Sequence, residues 1–440
     1  MKSREIAFKV LVDIEDNNNY SNIAINKHFK GLKVDNKEKG LATEIIYGVV
    51  EKKLYLDYII DKLSKIKLNK LSTTVKTLLR IGIYQIAFLD SISDYASVNE
   101  TVNLVKKYDN RSQGFVNAIL RNISRNKDLL EVSAENENMY YSTKYSYSPW
   151  MIKSFMSDFG VEFTKDLLEE NEERPKMYVR VNTLKTTKKE LIEKLNSVDI
   201  KCFEVRGIDE AVRVENLRDI ENNEYFKDGL FTVQDISSML VSKVLNPKEN
   251  SKVLDICSAP GGKTTHMATL MNNTGEVYAK DIFEHKLKLI NNSIDRLALT
   301  NVSVELGDAL IVDETLVDKF DYVLADVPCS GLGIIKRKPE IKYKKKADLN
   351  ELPKIQKEIL QNASKYVKVG GDLVYSTCTI IDKENILVIE EFLKENDNFK
   401  LVPIDEVSVD LDNQENGYLK IYPNIHGMDG FFIAKLTKIS

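Results

Sequence analysis

The sequence lacks most of the residues that mark secreted, zinc-binding or membrane-spanning proteins. Its 440 residues include only four cysteines, Cys202, Cys257, Cys329 and Cys378, and no two of them form a Cys-x-x-Cys pair. This scarcity argues against a disulfide framework and a zinc site, and reduced thiols are typical of cytoplasmic proteins. No apolar run is long enough to cross a bilayer, and the N-terminal residues carry charges of both signs instead of the apolar centre of a signal peptide. We therefore expect a cytoplasmic protein without a metal site or a membrane segment.

Excess charge and early prolines are also missing. The formal net charge is −4, so any RNA contact must depend on local patches rather than on the overall balance. The first of the nine prolines is Pro149, and before it apolar residues recur at helical spacing, for example at Ile6, Val10 and Ile14. Because 440 residues exceed one ordinary domain, we expect two or three domains, the first of them all-helical.

The composition changes where the first proline and the only tryptophan, Trp150, follow one another. Beyond this boundary, predicted strands at 177–182 and 201–205 and a predicted helix at 188–195 indicate a small α+β domain. The rest of the chain alternates as in a doubly wound α/β sheet. Its predicted strands cover 252–256, 276–279, 302–305, 320–325 and 372–376, and its predicted helices cover 264–271, 284–297, 352–367 and 384–395.

A glycine-containing loop, Cys257-Ser-Ala-Pro-Gly-Gly-Lys263, follows the first strand of this sheet. In doubly wound folds the first strand-to-helix turn is where a nucleotide-like ligand binds, because glycines allow a close approach and the helix offers free N–H groups. A P-loop would need glycine at the position of Cys257, and Pro260 would stiffen it. A dinucleotide fingerprint would need three glycines, and a tight turn without a ligand is a further alternative. A cofactor site is the leading hypothesis.

The loop resembles motif I of the S-adenosylmethionine-dependent RNA cytosine-5 methyltransferases. Two other signatures of that family follow in the same order, Asp326-Val-Pro-Cys-Ser-Gly-Leu-Gly333 and Tyr375-Ser-Thr-Cys-Thr379. The resemblance implies S-adenosyl-L-methionine as cofactor, with an aspartate for the ribose and another for the adenine. The implied cofactor-binding residues are Cys257, Ser258, Ala259, Pro260, Gly261, Gly262, Lys263, Asp281, Asp308 and Asp326.

The regions before the predicted sheet resemble other parts of the same family. The segments 78–90 and 115–122 are similar to the NusB-type RNA-binding domain of one bacterial branch, the RsmB (Sun) type, which acts on 16S ribosomal RNA. The α+β region resembles the family's small domain that lines an RNA groove, which makes Arg180 and Asn182 candidate RNA contacts, although polar residues of a strand are usually only part of the surface.

This resemblance predicts a multidomain protein that binds ribosomal RNA and does not require an oligomer. Its parts would be an all-α NusB-like domain at 1–144, a small α+β RNA-binding or linker domain at 145–235, and a Rossmann-like α/β doubly wound methyltransferase domain at 236–440.

Two cysteines are the candidates for catalysis. Carbon 5 of cytosine is a poor nucleophile, so its methylation needs prior attack at carbon 6, for which a thiolate is well suited. The resemblance implies that Cys378 is the nucleophile and that Cys329 assists product release by removing the carbon-5 proton. The reverse assignment is an alternative, because DNA cytosine methyltransferases attack with the Pro-Cys thiol. Asp326 would hydrogen-bond nitrogen 3 of a flipped or single-stranded base, and Lys263 would hold either RNA phosphate or the loop.

A basic run follows the Pro-Cys motif, with seven basic residues in eleven positions. Such a run is often only a solvated surface. Next to a site that must hold a polyanion, we favour contact with the RNA backbone. The candidate residues are Lys336, Arg337, Lys338, Lys342, Lys344, Lys345 and Lys346.

Overall fold

The computed structural model describes residues 2–17, 19–32, 34–407, 409 and 411–440. The chain divides into two compact units. The first comprises Met1–Glu172 together with Ile335–Lys346, and the second comprises Glu173–Ile334 together with Ala347–Ser440.

The first unit is helical, as the proline-free sequence predicts. Its helices are α1 (Ser3–Asn17), α2 (Ser21–Phe29), α3 (Asn36–Glu51), α4 (Lys53–Leu63), α5 (Thr73–Phe88), α6 (Asp94–Tyr108), α7 (Gln113–Arg125), α8 (Glu137–Tyr145), α9 (Pro149–Phe159) and α10 (Val161–Glu170). Helix α5 is buried along most of its length and lies in the core of this unit. Gly82 of α5 permits a close approach of α7, because a Cβ there would lie 2.6 Å from the Leu120 side chain.

The second unit begins with a four-stranded antiparallel sheet. Its strands are β1 (Met177–Val181), β2 (Lys201–Glu204), β3 (Ala211–Glu215) and β4 (Phe231–Val233), in the order β2-β3-β1-β4, with helices α11 (Lys188–Asn196) and α12 (Glu224–Lys227). Valines of β1 and β3 pack against Leu191 and Leu195 of α11, which gives the sheet its own small core. Helix α11 begins with a capping box formed by Thr187 and Glu190, which satisfies its first backbone N–H groups.

An eight-stranded mixed sheet forms the rest of the second unit. Its strands are β5 (Lys252–Asp255), β6 (Glu276–Asp281), β7 (Val302–Leu306), β8 (Phe320–Asp326), β9 (Val367–Thr377), β10 (Phe399–Leu401), β11 (Tyr418–Ile421) and β12 (Phe431–Lys438). The order is β10-β12-β9-β8-β5-β6-β7, with β11 paired to β12. Strands β5 to β9 pair in parallel, and β12 is antiparallel to β9.

Helices cover both faces of this sheet. They are α13 (Ile236–Leu245), α14 (Gly262–Leu270), α15 (Glu284–Leu297), α16 (Leu352–Tyr366), α17 (Ile386–Glu395) and α18 (Pro423–His426). Neighbouring residues of one strand enter different cores: Val253 packs with α13, α14 and α15, whereas Leu254 packs with α16 and α17. The strand order reverses beside β5, and in such sheets a ligand binds outside the carboxyl ends of the strands at this point.

The three predicted classes of structure are confirmed: a helical first region, a small α+β region and a doubly wound α/β region. The domain boundaries at 144/145 and 235/236 stay predictions, although α8 to α10 belong to the first compact unit. Among the described residues, no helix combines the length and apolar character needed to span a bilayer. The same residues contain no cluster of three or more His, Cys, Asp or Glu side chains arranged to hold a metal ion.

Candidate active site

The loop after β5 is fixed against the end of β6. Both the backbone N–H and the hydroxyl of Ser258 donate to the carbonyl of Lys280, at 2.9 and 3.0 Å. The N–H of Ala259 donates to Oδ2 of Asp281 at 3.0 Å. Gly261 then turns the chain into α14 with a φ of 99°, a left-handed conformation that favours glycine. The loop therefore has a defined backbone, and α14 begins directly behind it.

Two of the predicted cofactor ligands, Asp281 and Asp308, lie at the ends of neighbouring parallel strands. Asp281 is buried and also accepts from the N–H of Phe283 at 3.0 Å. Asp308 accepts from the N–H of Leu310 at 2.9 Å. Both aspartates thus shape their own turns, and each carboxylate keeps lone pairs for a further donor. Their role towards a cofactor stays a prediction.

A third carboxylate, Asp255, ends β5 beneath the loop and had no role in the sequence prediction. It is fully buried, and burial raises its pKa to about 7 even though the Thr264 hydroxyl donates to it at 2.7 Å. Burial and the surrounding carboxylates also raise the pKa of the Cys257 thiol well above its ordinary value. Cys257 is therefore a neutral thiol in the wall of the loop rather than a reactive group.

Lys263 and Asp326 form a direct ion pair. Lys263 Nζ donates to Asp326 Oδ2 at 2.6 Å, and the hydroxyl of Ser376 donates to Asp326 Oδ1 at 2.6 Å. Burial opposes the charge of Lys263, but the Asp326 carboxylate outweighs it and raises the pKa of Lys263 above its ordinary value. The Lys263 ammonium is thus engaged with Asp326, and its role towards RNA phosphate or the loop geometry stays a prediction.

The two candidate catalytic cysteines are in contact. Their Sγ atoms are 3.0 Å apart, both side chains are half-buried, and neither is in a disulfide. The N–H of Cys378 also lies 3.3 Å from the Cys329 Sγ. The hydrogen bond to Cys378, together with burial, raises the pKa of Cys329 well above its ordinary value. The raised pKa favours the protonated form of Cys329, and either sulfur can be the donor in the contact between them.

The loops that carry the two cysteines are joined by polar contacts. The hydroxyls of Ser330 and Thr379 are 2.7 Å apart, and the N–H of Gly333 donates to the carbonyl of Cys378 at 3.0 Å. Glu384, which is buried, accepts from the N–H of Ser330 at 2.8 Å. These contacts hold the distance between the thiols, and no sequence motif had singled out Glu384.

The prediction that Arg180 and Asn182 contact RNA is wrong. Both side chains are 2% exposed, and both donate to other groups of the second unit, Arg180 to Gly262 and Asn182 to Gly229 and Leu297. A strand with alternating polar residues looks the same in sequence whether its polar face meets water or a second layer of protein. Burial of this face was therefore not visible in the sequence.

The basic run lies in the first unit, and part of its predicted role needs correction. Lys342 is fully buried and donates to the carbonyl of Tyr145 at 3.2 Å, with Glu51 and Glu172 at 3.8 and 3.6 Å. Lys336 is paired with Glu170. Lys342 therefore has no exposed surface to offer to RNA, and the charge of Lys336 is already paired.

The remaining basic residues of the run differ in exposure. Lys338, Lys345 and Lys346 are exposed, whereas Arg337 and Lys344 are half-buried. The three exposed lysines are the most accessible to an RNA backbone, and contact by them and by the half-buried Arg337 and Lys344 stays a prediction.

Comparisons with known proteins agree with this architecture. Residues 242–437 match the family described as 16S rRNA methyltransferase RsmB/F, residues 1–125 match the NusB family, and residues 147–221 match the ferredoxin-like domain of RsmF/B-like methyltransferases. The chain is 36% identical to the probable ribosomal RNA small subunit methyltransferase B of Bacillus subtilis, over 99% of this chain and 98% of that protein. It is 32% identical to ribosomal RNA small subunit methyltransferase B of Klebsiella pneumoniae, over 92% and 91%.

Solved structures show the same likeness. That of PH0851 superposes with a TM-score of 0.83 at 27% identity and covers 100% of this chain and 99% of its own. A methyltransferase homologue from Pyrococcus horikoshii superposes with a TM-score of 0.60 at 29% identity, over 69% of this chain and 100% of its own. With its NusB-like first region, its ferredoxin-like middle region and its methyltransferase sheet, this chain belongs to the RsmB/F family of 16S rRNA methyltransferases.

Proposed function

We propose that this protein methylates carbon 5 of a cytosine in 16S ribosomal RNA through a covalent bond between Cys378 and carbon 6 of the base. The observation that carries the proposal is the 3.0 Å contact between the Cys329 and Cys378 sulfurs, beside the Lys263–Asp326 ion pair. One unit thus presents a nucleophile, a second thiol and a proton-sharing pair. RNA is the partner, and a cytoplasmic location follows from that substrate.

The residues of the loop fit S-adenosyl-L-methionine. Gly262 leaves open backbone in front of α14, since a Cβ there would meet only Gln234 at ordinary contact distance. Asp281 and Asp308 keep acceptor capacity for ribose hydroxyls and an adenine amino group. When bound, the cofactor supplies an electrophilic methyl group on a sulfonium. The loop residues and these two aspartates would hold and orient it.

The charges around Cys378 favour its thiolate. In this proposal Cys329 is the donor in the contact between the two sulfurs, and the Lys263 ammonium is close enough to interact electrostatically with Cys378. Both effects stabilise negative charge on sulfur. In the proposed first step this thiolate forms a bond to carbon 6. The electron pair moves towards nitrogen 3, where the proton shared by Lys263 and Asp326 balances the developing charge.

The same contact explains how Cys329 becomes a base only after attack. Its pKa is raised by the hydrogen bond to Cys378, by burial and by the charge on that sulfur. Once Cys378 is bonded to carbon 6, its sulfur is a neutral thioether, so the first and third causes are removed and the pKa of Cys329 falls. Carbon 5 would take the methyl group that the cofactor supplies, which converts the sulfonium into a neutral thioether. Cys329 can then lose its proton to solvent and, as a thiolate, remove the proton on carbon 5. The electron pair of that C–H bond re-forms the ring double bond and expels Cys378.

Single cysteine substitutions test this assignment. We expect Cys378→Ala to abolish methyl transfer from labelled S-adenosylmethionine to 16S rRNA, because no bond to carbon 6 can form. We expect Cys329→Ala to accumulate a protein–RNA adduct, seen as a slowly migrating band on a denaturing gel, because the carbon-5 proton is not removed. Cys202→Ala is the matched control, since Cys202 lies on β2 and its thiol donates to the carbonyl of Ile200. An adduct from Cys378→Ala and none from Cys329→Ala would reverse the roles.

A further inference from the structure

The side chain of Arg180 connects the small sheet to the loop of the candidate cofactor site. It starts on β1, is 2% exposed, and ranks among the largest fully buried side chains. Its guanidinium donates to the carbonyl of Gly262 at 2.7 Å, to the hydroxyl of Thr265 at 3.0 Å, and to Oε1 of Gln234. Two of these three acceptors belong to the first turn of α14. A residue from one sheet thus fixes the helix start that follows the loop of the other.

The charge of Arg180 is buried with a counter-ion. Burial lowers the pKa of Arg180 to about 9, while the buried carboxylate of Glu210 favours its charged form. Glu210 in turn lies 2.9 Å from Nε2 of His266, which is also on α14, and 3.4 Å from the ammonium of Lys243. A buried ionic group is expensive, and an apolar side chain of similar length would pack β1 against α14 at lower cost. An apolar side chain could not make the three hydrogen bonds that the Arg180 guanidinium donates, and these bonds fix the direction of the helix start.

The loop is therefore held at two places. Before Pro260, Ser258 and Ala259 are bound to the end of β6. After Gly261, Gly262 is bound by Arg180. The backbone between these points is the part that would face the cofactor, because it precedes the free N–H groups of α14.

We propose that Arg180 is a positioning residue for the cofactor, which sets the first turn of α14 so that the loop binds S-adenosylmethionine. The inference rests on the proposed function and gives the small sheet a role in cofactor binding. Asn182 supports the same arrangement, because its amide donates to the carbonyls of Gly229 and Leu297, at 2.9 and 3.1 Å, and so ties β1 to the end of α15. Helix α15 also borders the loop, since a Cβ at Gly261 would lie 3.1 Å from Ile290.

Calorimetry with S-adenosylhomocysteine and steady-state kinetics test the proposal on the full chain. We expect Arg180→Met to weaken nucleoside binding by about tenfold to a hundredfold, because charged hydrogen bonds to the helix start are lost. The KM for S-adenosylmethionine should rise by the same factor, while the KM for RNA and kcat at saturating cofactor stay within about threefold of the wild-type values. If Arg180 only stabilised the fold, its replacement would not raise the KM for S-adenosylmethionine while leaving the KM for RNA and kcat unchanged.

Two further variants keep the test decisive. Thr265→Val removes one acceptor of Arg180 and leaves the arginine in place, so we expect about a threefold to tenfold weaker affinity for S-adenosylhomocysteine even if Arg180→Met folds poorly. Arg213→Met is the matched control, because Arg213 lies on the adjacent strand and pairs with Glu215 instead. We expect its affinity to equal that of the wild type.

The outcomes separate this inference from the proposed function. Wild-type affinity in both Arg180→Met and Thr265→Val, or a loss of RNA binding without a loss of nucleoside binding, would overturn the role of Arg180 and leave the methyltransferase proposal intact. A wild-type protein that does not bind S-adenosylhomocysteine would overturn both.

Discussion

Lys263 in the second unit and Lys342 in the first are both shielded from solvent, but their surroundings have opposite effects. Lys263 meets the Asp326 carboxylate at 2.6 Å, which raises its pKa despite burial. Lys342 has carboxylates only at 3.6 and 3.8 Å, from Glu172 and Glu51, and burial lowers its pKa to about 8. Lys263 is stabilised as a cation in the candidate active site, whereas the charge of Lys342 destabilises the folded state.

The two lysines also differ in how many cations share their carboxylates. Asp326 serves a single ammonium, whereas Glu51 and Glu172 also serve Lys52, whose own pKa burial and Lys342 lower to about 8. Two lysines compete for two glutamates that are themselves part-exposed. A lysine in a basic or loop motif can therefore contribute charge to a functional site or be buried as part of the fold. The carboxylates around its ammonium decide between the two.

The largest effect is expected from Lys263→Met. The change removes the ammonium from Asp326 and from the neighbourhood of Cys378, so both the thiolate and the charge developing on the base lose support. We expect single-turnover methylation at saturating S-adenosylmethionine to slow by about a hundredfold, a typical loss for one preorganised electrostatic group. A rate within threefold of the wild-type value would mean that Lys263 only shapes the loop.

The next effect concerns stability rather than catalysis. We expect Lys342→Met to stabilise the folded protein. Burial depresses the folded-state pKa of Lys342 from 10.5 to about 8, so its charge destabilises the folded state most fully below pH 8. We expect the variant to have a free energy of unfolding about 1 to 2 kcal/mol above the wild type near pH 7, and the gap to close as the pH rises towards 10. Chemical denaturation at a series of pH values measures this.

The control for Lys342→Met is the same change at an exposed lysine. Lys354 pairs with Glu351 on the surface, where both side chains are largely exposed. We expect Lys354→Met to change the free energy of unfolding by less than about 0.5 kcal/mol, because exposed ion pairs contribute little. A Lys342→Met variant that is less stable than the wild type at pH 7 would show that the ion cluster outweighs its desolvation.

The smallest effect is expected from the lysines of the basic run that remain exposed. Replacing Lys338, Lys345 and Lys346 with alanine removes charges without disturbing a buried contact. If they contact the RNA backbone, the slope of log affinity against log salt should fall by about 2, at roughly 0.7 per phosphate contact. Titrations of 16S rRNA fragments at several salt concentrations measure this slope, and Lys342→Met should leave it unchanged. A triple variant with the wild-type slope would remove these residues from the RNA surface.

Much of the second unit was predictable because local pattern and fold agree there. Helix α15 has the predicted bounds, and β5, β6, β7 and β8 differ from prediction by two residues or fewer. Strand β9 is longer than predicted, because Gly370 and Gly371 interrupt its pattern, and the pairing with β8 shifts register near Phe320 and Tyr322. Strands β3, β4 and β10 were not predicted.

The sequence by itself determined the helical first region, the alternation of the methyltransferase sheet, and the candidate cofactor loop and cysteines, because spacing and residue type are local properties that a motif preserves. Only the tertiary structure decided that the cysteine sulfurs touch, that Lys263 belongs to Asp326, and that Arg180 and Lys342 are buried rather than free to meet RNA. These are questions of which distant side chain fills the space around a charge. The free energy of a charge depends on that neighbour and on the loss of water, and neither is encoded in the charge's own position along the chain.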